Sequence, residues 1–317
     1  MSPLSAAPAL TAAAAALRAA GLGARLACDA PLGARTTYRV GGPAALLLTP
    51  EAPAELTAAA AALAALAELP PLRVLGAGSN LLVADEGFAG LVVRLGDGFA
   101  GVEIDGVRVR AGGGAYLPVL ARRSAAAGLT GFEWAVGVPG SLGGAVRMNA
   151  GGHGADLAAS LVAVRALDLR SGEDERVAAA DLGLGYRRCA LRDEQVVVEA
   201  ELALRPGERA AAEALVREIV AWRRAHQPGG QNAGSVFTNP PGDAAGRLRD
   251  AAGAKGVRVG SARVSEKHAN FIIADEGGRA ADVVALMRTV QALVRERLGV
   301  ALTPETHLLG FAEGDGW

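Results

Sequence analysis

The sequence predicts an α+β protein in two parts, strand-rich over the first two-thirds and a compact α/β unit in the last third. Three observations carry this prediction. Short β-rich runs recur between turn signals from residue 81 to 111. Two long helical patterns flank a mixed segment containing Phe271-Ile272-Ile273 near the C-terminal end. Pro206-Gly207 stands between the two regimes and marks the expected boundary. A chain of 317 residues also exceeds the roughly 250–300 residues that one core usually serves. The expected domains are therefore 1–206, subdivided near residue 80, and 207–317.

The elements follow in order. Residues 9–19 have the spacing of an amphipathic helix stopped by Gly21. Residues 36–48 are strand-like but broken at Gly41-Gly42-Pro43. Thr49-Pro50 reads as an N-cap followed by proline at the first helical position, opening a helix to about Leu66. Residues 72–75 form a short apolar strand that completes a small β-α-β unit. Strands are expected at 81–84, 91–95, 102–104 and 107–110, with turns at Asp85-Glu86-Gly87 and Asp105-Gly106. Residues 117–127 are expected to be helical, and 161–169 and 195–204 to be strands. Beyond 207, Leu215, Val216, Ile219, Val220 and Trp222 fall at helical spacing before Pro228. Val283, Leu286, Met287, Val290, Leu293 and Val294 line one face of a second helix, which Gly299 stops.

Charge and composition exclude several classes. Lys and Arg total 32 against 33 Asp and Glu, for a net charge of −1, and basic residues occur in isolated pairs such as Arg122-Arg123. Nucleic acid and anionic membranes would each want a basic stripe. The longest uncharged stretches, 1–17 and 57–67, are alanine-rich and short of the roughly 20 strongly apolar residues a spanning helix needs. No basic segment precedes the N-terminal apolar stretch, so no signal peptide is expected. Cys28 and Cys189 are too few for a disulfide framework. A cytoplasmic protein with no membrane association is expected, and no obligatory protein partner is evident. His153, His226, His268 and His307 show no metal-ligand spacing. Basic residues are arginine everywhere except Lys255 and Lys267; bias towards GC-rich codons is the favoured explanation, and a need for a compact ammonium at those two positions is the alternative.

Two glycine-rich loops carry the chemistry. Gly76-Ala77-Gly78-Ser79-Asn80 follows a strand, but Leu81 stands where a dinucleotide fingerprint needs its third glycine, and no helix follows. Such a loop can still form a nest of N–H groups for phosphate oxygens. The second loop runs Gly137-Val138-Pro139-Gly140-Ser141-Leu142-Gly143-Gly144-Ala145, then Asn149-Ala150-Gly151-Gly152-His153-Gly154. That glycine density has an entropic cost that close backbone approach to a large flat ligand would justify. Together the loops imply a phosphate-bearing cofactor held without a Rossmann fold.

With Thr37-Tyr38-Arg39-Val40-Gly41-Gly42-Pro43-Ala44, these loops resemble the UDP-N-acetylenolpyruvoylglucosamine reductase family. The resemblance continues through Gly185-Tyr186-Arg187, Gly234-Ser235-Val236-Phe237, Asn239-Pro240, Ser265-Glu266-Lys267-His268-Ala269-Asn270-Phe271 and Leu302-Thr303-Pro304-Glu305. It spans roughly 30 to 310 with the motifs in the family's order. The short interval between Arg187 and Ser235 resembles the family's shorter subtype. The resemblance implies an FAD-binding domain of the vanillyl-alcohol-oxidase (PCMH) type with two subdomains, and a C-terminal α/β substrate-binding domain. It also implies a UDP-sugar substrate, FAD as cofactor and NADPH as reductant.

The implied reaction reduces an enolpyruvyl ether to a lactyl ether in peptidoglycan precursor synthesis. Charge developing on the substrate calls for a fixed cation, a further polar group and a proton donor. By resemblance, Ser235 is the proton donor, Arg187 holds the carboxylate and Glu305 stabilises the enolate. The same resemblance assigns the cofactor to Tyr38, Gly76, Ala77, Gly78, Ser79, Asn80, Leu81, Gly137, Val138, Gly140, Ser141, Gly144, Asn149, Ala150 and Gly151. Candidate substrate ligands are Asn239, Lys255, Arg258, Lys267, His268 and Asn270. Cys189 stands where many relatives carry serine, and Thr238 where many carry lysine. Two rival readings are another FAD oxidoreductase of this fold acting on an alcohol or hydroxy acid, and a sugar-nucleotide-binding protein without redox activity. The first leaves the Ser235 and Glu305 motifs unexplained, and the second predicts loss of groups that are present.

Overall fold

The computed structural model of the chain describes residues 8–312. Residues 1–7, on which the signal-peptide expectation partly rests, lie outside the described residues, as do 313–317. Cα packing groups the chain into two compact units, neither contiguous in sequence. One comprises the residues up to Ala30, Ala45–Ala77 and Ala89–Arg223; the other comprises Pro31–Ala44, Gly78–Phe88 and the residues from Arg224 onward.

The first unit is built on a five-stranded antiparallel sheet in the order Asp174–Ala178, Leu161–Asp168, Gln195–Ala203, Arg108–Gly112, Val102–Asp105. The Gln195–Ala203 strand is paired on both sides, with Leu202 opposite Val109 and also opposite Leu161. Successive side chains on a strand point to opposite faces. Val197 accordingly joins one core, and Val196 and Val198 another. Helices Leu117–Ala126 and Arg209–His226 cover the first of these cores. In the second helix Ala212, Val216 and Ile219 make the buried stripe. Helices Pro8–Leu17 and Pro53–Ala64 cover the second core, together with a sheet ordered Leu26–Ala30, Ala44–Leu48, Phe88–Arg94, Leu72–Leu75.

The helix expected to open at Thr49-Pro50 opens at Pro53 instead, with Ala52 extended at φ −138°. Proline keeps the residue before it out of the helical region, and Pro53 is the proline that reaches the first helical turn. The Glu55 carboxylate reaches back to accept the Glu51 N–H at 2.6 Å, satisfying a donor at the helix start.

The second unit carries the antiparallel sheet Arg258–Val259, Ala262–Val264, Ile272–Ala274 and the helices Ala245–Ala251 and Ala280–Leu298. Val283, Leu286, Met287, Val290 and Val294 are buried on the expected face of the long helix, and Gly299 ends it at φ +69°. Asp85 caps that helix, accepting from the N–H groups of Ala280 and Ala281 at 2.7 and 3.1 Å. Tyr38, Val40 and Leu82 belong to the same core as Val264, Ile272 and Met287. Two short stretches from the first third of the chain thus complete the core of its last third. Among the described residues, no helix is long and apolar enough to cross a membrane.

Candidate active site

In the first unit the two glycine loops meet. A Cβ on Gly76 would lie 2.4 Å from Ser141 Oγ, so a larger residue there would require the serine hydroxyl to move. Ser141 is the N-cap of a short helix, Leu142–Met148, its Oγ accepting from the Gly144 N–H at 3.3 Å. The N–H groups of Leu142 and Gly143 donate to the carbonyls of Ala115 and Gly113, each at 2.8 Å, which fixes the start of this helix against the sheet. Asn149 ends it in the left-handed region at φ +38°. The Asn149 amide then donates to Gly185 O at 3.0 Å and to Asp156 at 3.2 Å, while its Oδ1 accepts from Ala158 N at 3.0 Å. Asn149 therefore joins the second glycine loop to the turn that carries the arginine.

That turn is closed by reciprocal hydrogen bonds of 3.0 Å between Gly185 and Arg188. Tyr186 and Arg187 stand at its tip, Tyr186 exposed and Arg187 in the left-handed region at φ +54°. The Arg187 guanidinium lies 5.1 Å from the Tyr186 ring centroid and donates to Gly151 O at 3.4 Å. The planar fork is thus held beside Asn149-Ala150-Gly151.

Along residues 76–80, no backbone N–H donates to an acceptor among the described residues. Gly78 turns this stretch with φ +65°. Successive N–H groups left free on a glycine turn are a donor set for phosphate oxygens, so these residues fit the diphosphate of a dinucleotide cofactor. Among the described residues no group of three or more His, Cys, Asp or Glu could hold a metal ion.

The second unit holds Tyr38, Gly78–Leu81, Ser235, Glu305 and all the candidate substrate ligands. Ser235 follows Gly234 at φ +74° and leads into a stretch paired with the Pro304 segment through a bridge between Phe237 and Pro304. The Glu305 N–H donates to Val236 O at 2.8 Å, and the Thr238 N–H to Thr303 O at 2.9 Å. Ser235 and Glu305 therefore sit on adjacent backbone segments. Asn80 joins them, its amide donating to Glu305 O at 3.0 Å.

The candidate substrate ligands divide into two groups. Lys255 is paired with Asp250 at 2.6 Å, Arg258 with Asp275 at 2.6 Å, and Lys267 Nζ donates to Arg224 O at 2.6 Å. Asn239 Oδ1 accepts from the Ala245 N–H at 3.0 Å at the start of a helix. These groups keep surface that a ligand can reach. Asn270 does not: it is 3% exposed and bonded to the backbone of Phe237. His268 is half-buried, its ring nitrogen accepting from the Asn270 N–H at 3.1 Å. Burial, and then the Arg249 charge, push the His268 pKa down.

Tyr38 has no exposed surface, and among the described residues its hydroxyl has no hydrogen-bond partner. Burial pushes its pKa up. Beside it lies a residue absent from the expected site, Arg249, fully buried with its Nη1 3.0 Å from Asn270 Oδ1. Burial pushes the Arg249 pKa down to about 9. A signal was available in the sequence, because Arg249 follows Leu248 in the stripe Ala245, Leu248, Ala252 that the helix buries.

The description "UDP-N-acetylenolpyruvoylglucosamine reductase, C-terminal domain" matches residues 226–309, and "FAD binding domain" matches 44–177. The UDP-N-acetylenolpyruvoylglucosamine reductase 2 of Symbiobacterium thermophilum is 46% identical, covering 88% of this chain and 91% of that relative. The Acidiphilium cryptum UDP-N-acetylenolpyruvoylglucosamine reductase is also 46% identical, covering 90% of this chain and 92% of its own. The crystal structure of the Thermus caldophilus enzyme is similar at a TM-score of 0.77 and 39% identity, covering 88% of this chain and 97% of that one.

Proposed function

Since the chain belongs to the UDP-N-acetylenolpyruvoylglucosamine reductase family, we propose that it reduces UDP-N-acetylglucosamine enolpyruvate to UDP-N-acetylmuramate, a peptidoglycan precursor. The observation that carries the residue assignment is the 2.8 Å bond from the Glu305 N–H to Val236 O, because it sets Ser235 and Glu305 on neighbouring segments of one unit. The chain is a flavin-dependent oxidoreductase that uses FAD and NADPH. The free N–H groups of 76–80 and the loops from Gly137 to Gly144 and from Asn149 to Gly151 would hold the cofactor.

Bound FAD, reduced by NADPH, supplies the hydride. The chain's own residues manage the substrate. Hydride addition to the terminal alkene carbon drives electron density into the carboxylate. The Arg187 fork takes that carboxylate in a two-pronged contact, which a lysine would not reproduce. Glu305 lies against the developing enolate. The Ser235 hydroxyl gives its proton to the carbon; a hydroxyl is a weak acid, but a carbon-centred enolate is basic enough to take it. Lys255, Arg258 and Lys267 exchange their present partners for diphosphate oxygens, with Asn239 and His268 beside them. UDP-sugars and NADPH are substrates of the cytoplasm, and we place the protein there.

The test is a steady-state assay with product mass spectrometry. NADPH oxidation that depends on the enolpyruvate, with a product heavier by one hydride and one proton, supports the reading. NADPH oxidation that ignores this substrate sinks it and favours another flavin oxidoreductase.

A further inference from the structure

Ser235 is half-buried, and its hydroxyl makes no hydrogen bond among the described residues. Its position is therefore set by backbone alone. On one flank Gly234, at φ +74°, has nothing within 4 Å of a would-be Cβ and contributes no packing. On the other flank, Asn270 grips the chain at successive residues. The Val236 N–H donates to Asn270 O at 2.9 Å, the Phe237 N–H donates to Asn270 Oδ1 at 3.2 Å, and Asn270 Nδ2 donates to Phe237 O at 2.8 Å. The opposite edge of the same segment is held by Glu305 N and Thr238 N. The serine segment is thus clamped between Asn270 and the Thr303–Glu305 segment that carries the proposed catalytic glutamate.

Something must hold the clamp itself. The Ser265 hydroxyl accepts from the N–H groups of Lys267 and His268 and closes the 265–271 loop, and His268 accepts from the Asn270 N–H. The Phe237 N–H and carbonyl already tell the two ends of the Asn270 amide apart. Arg249 reinforces that orientation, because a guanidinium only donates and its Nη1 lies 3.0 Å from Asn270 Oδ1. The oxygen must face Arg249, and the amide nitrogen must then face Phe237 O. Among the described residues Arg249 has no carboxylate partner and its Nε and Nη2 are unsatisfied; its guanidinium lies 5.1 Å from the Phe237 ring centroid. Burying this cation without a carboxylate carries a desolvation cost.

We propose that Asn270 is the positioning residue of the Ser235 proton donor and that Arg249 locks its amide in the working orientation. This rests on the reading of Ser235 as the donor. Asn270, taken from sequence as a substrate ligand, acts through the backbone and does not touch the substrate.

The experiment compares Ser235→Ala, Asn270→Ala, Arg249→Met and Arg249→Lys in anaerobic stopped-flow, with NADPH-reduced protein mixed against UDP-N-acetylglucosamine enolpyruvate. Displacing a catalytic group by about 1 Å costs on the order of 10²-fold, and Asn270→Ala is expected to slow flavin reoxidation by that factor. KM for the enolpyruvate should stay near the wild-type value, and the solvent deuterium isotope effect on reoxidation should rise as proton transfer becomes limiting. A merely structural loss lowers the amount of active protein and leaves the isotope effect unchanged. Arg249→Met, which removes the buried charge and keeps an apolar stem, should fold, hold flavin and reoxidise slowly; Arg249→Lys should recover part of the rate. If Asn270→Ala does not fold, Arg249→Met alone decides the case. Slow reoxidation of Ser235→Ala beside wild-type rates for the Asn270 and Arg249 variants would overturn this proposal alone. A Ser235→Ala variant that reoxidises at the wild-type rate would leave no donor to position, and both readings would fall.

Discussion

The side-chain amide of Asn80 donates to the backbone carbonyl of Glu305 across 3.0 Å, while the carbonyl of Asn80 accepts from His307 N at 3.1 Å. The glycine turn proposed to hold the cofactor therefore ends in the residue that anchors the segment of the proposed catalytic glutamate. The parallel pairing of Leu81–Val83 with His307–Leu309 continues the tie. Asn80→Ala removes the side-chain bond. The expected stability loss is about 1 kcal/mol, the net value of one such bond, read as a shift in the urea midpoint. Turnover at saturating substrate should fall by more than that loss accounts for. Unchanged turnover would mean that this anchor is not needed at Glu305.

Gly76 tests the meeting of the loops. An alanine there would press its methyl to within 2.4 Å of Ser141 Oγ, and the nearest atom after that hydroxyl is Ser141 Cβ at 3.7 Å. Gly76→Ala is expected to lose flavin on purification, seen as a lower ratio of flavin to protein absorbance. Ser141→Ala alone should cost about 1 kcal/mol as a lost N-cap. The double variant should hold more flavin than Gly76→Ala, because the clash is gone. Strictly additive losses would argue against this contact.

Arg187→Lys keeps the charge but not the fork. Because one bidentate contact to the carboxylate is at stake, kcat/KM for the enolpyruvate should drop by roughly 10-fold or more, with flavin content unchanged. Equal kinetics in the two proteins would show that a point charge suffices at this position.

Much of the fold was legible from pattern, and what escaped did so for physical reasons. The spacing of Val283, Leu286, Met287, Val290 and Val294 located the long C-terminal helix because one face of it is buried. The helix Leu142–Met148 was hidden inside a glycine loop, since Gly143-Gly144 reads as a breaker. Its glycines answer to packing, a Cβ on Gly143 falling 3.1 Å from Gly113 O. Periodicity reports which face of an element is buried, not against what. The company that Tyr38 and Leu82 keep with Met287 therefore could not be read from it. Arg249 was missed because a charged residue reads as surface despite its place on the stripe Ala245, Leu248, Ala252; the structure shows it enclosed by Tyr38, Phe237 and Asn270. The proposed catalytic trio came from motif resemblance, whereas the contacts around Ser235 and Glu305 join residues far apart in sequence.

Arg249 also predicts a pH dependence. Burial holds its pKa in the folded protein at about 9, well below the ordinary arginine range. Below pH 9 both the folded and unfolded states carry the proton, and the cost of the buried charge is fully present. Above about pH 9 the unfolded state binds more protons, so this group's contribution to stability rises with pH. Arg249→Met should therefore melt above the wild type at pH 7, and the gap should narrow by pH 10. A gap that stays constant would contradict the buried cation.

The central claim is that Ser235 protonates the substrate carbon. Its most direct test is anaerobic stopped-flow at the flavin band, wild type against Ser235→Ala, each reduced by NADPH and then mixed with UDP-N-acetylglucosamine enolpyruvate. Both proteins should be reduced by NADPH, and the wild type should be reoxidised rapidly. The alanine variant should reoxidise about 10² to 10⁴ times more slowly, the usual contribution of a positioned acid. Reoxidation of Ser235→Ala at the wild-type rate would contradict the account.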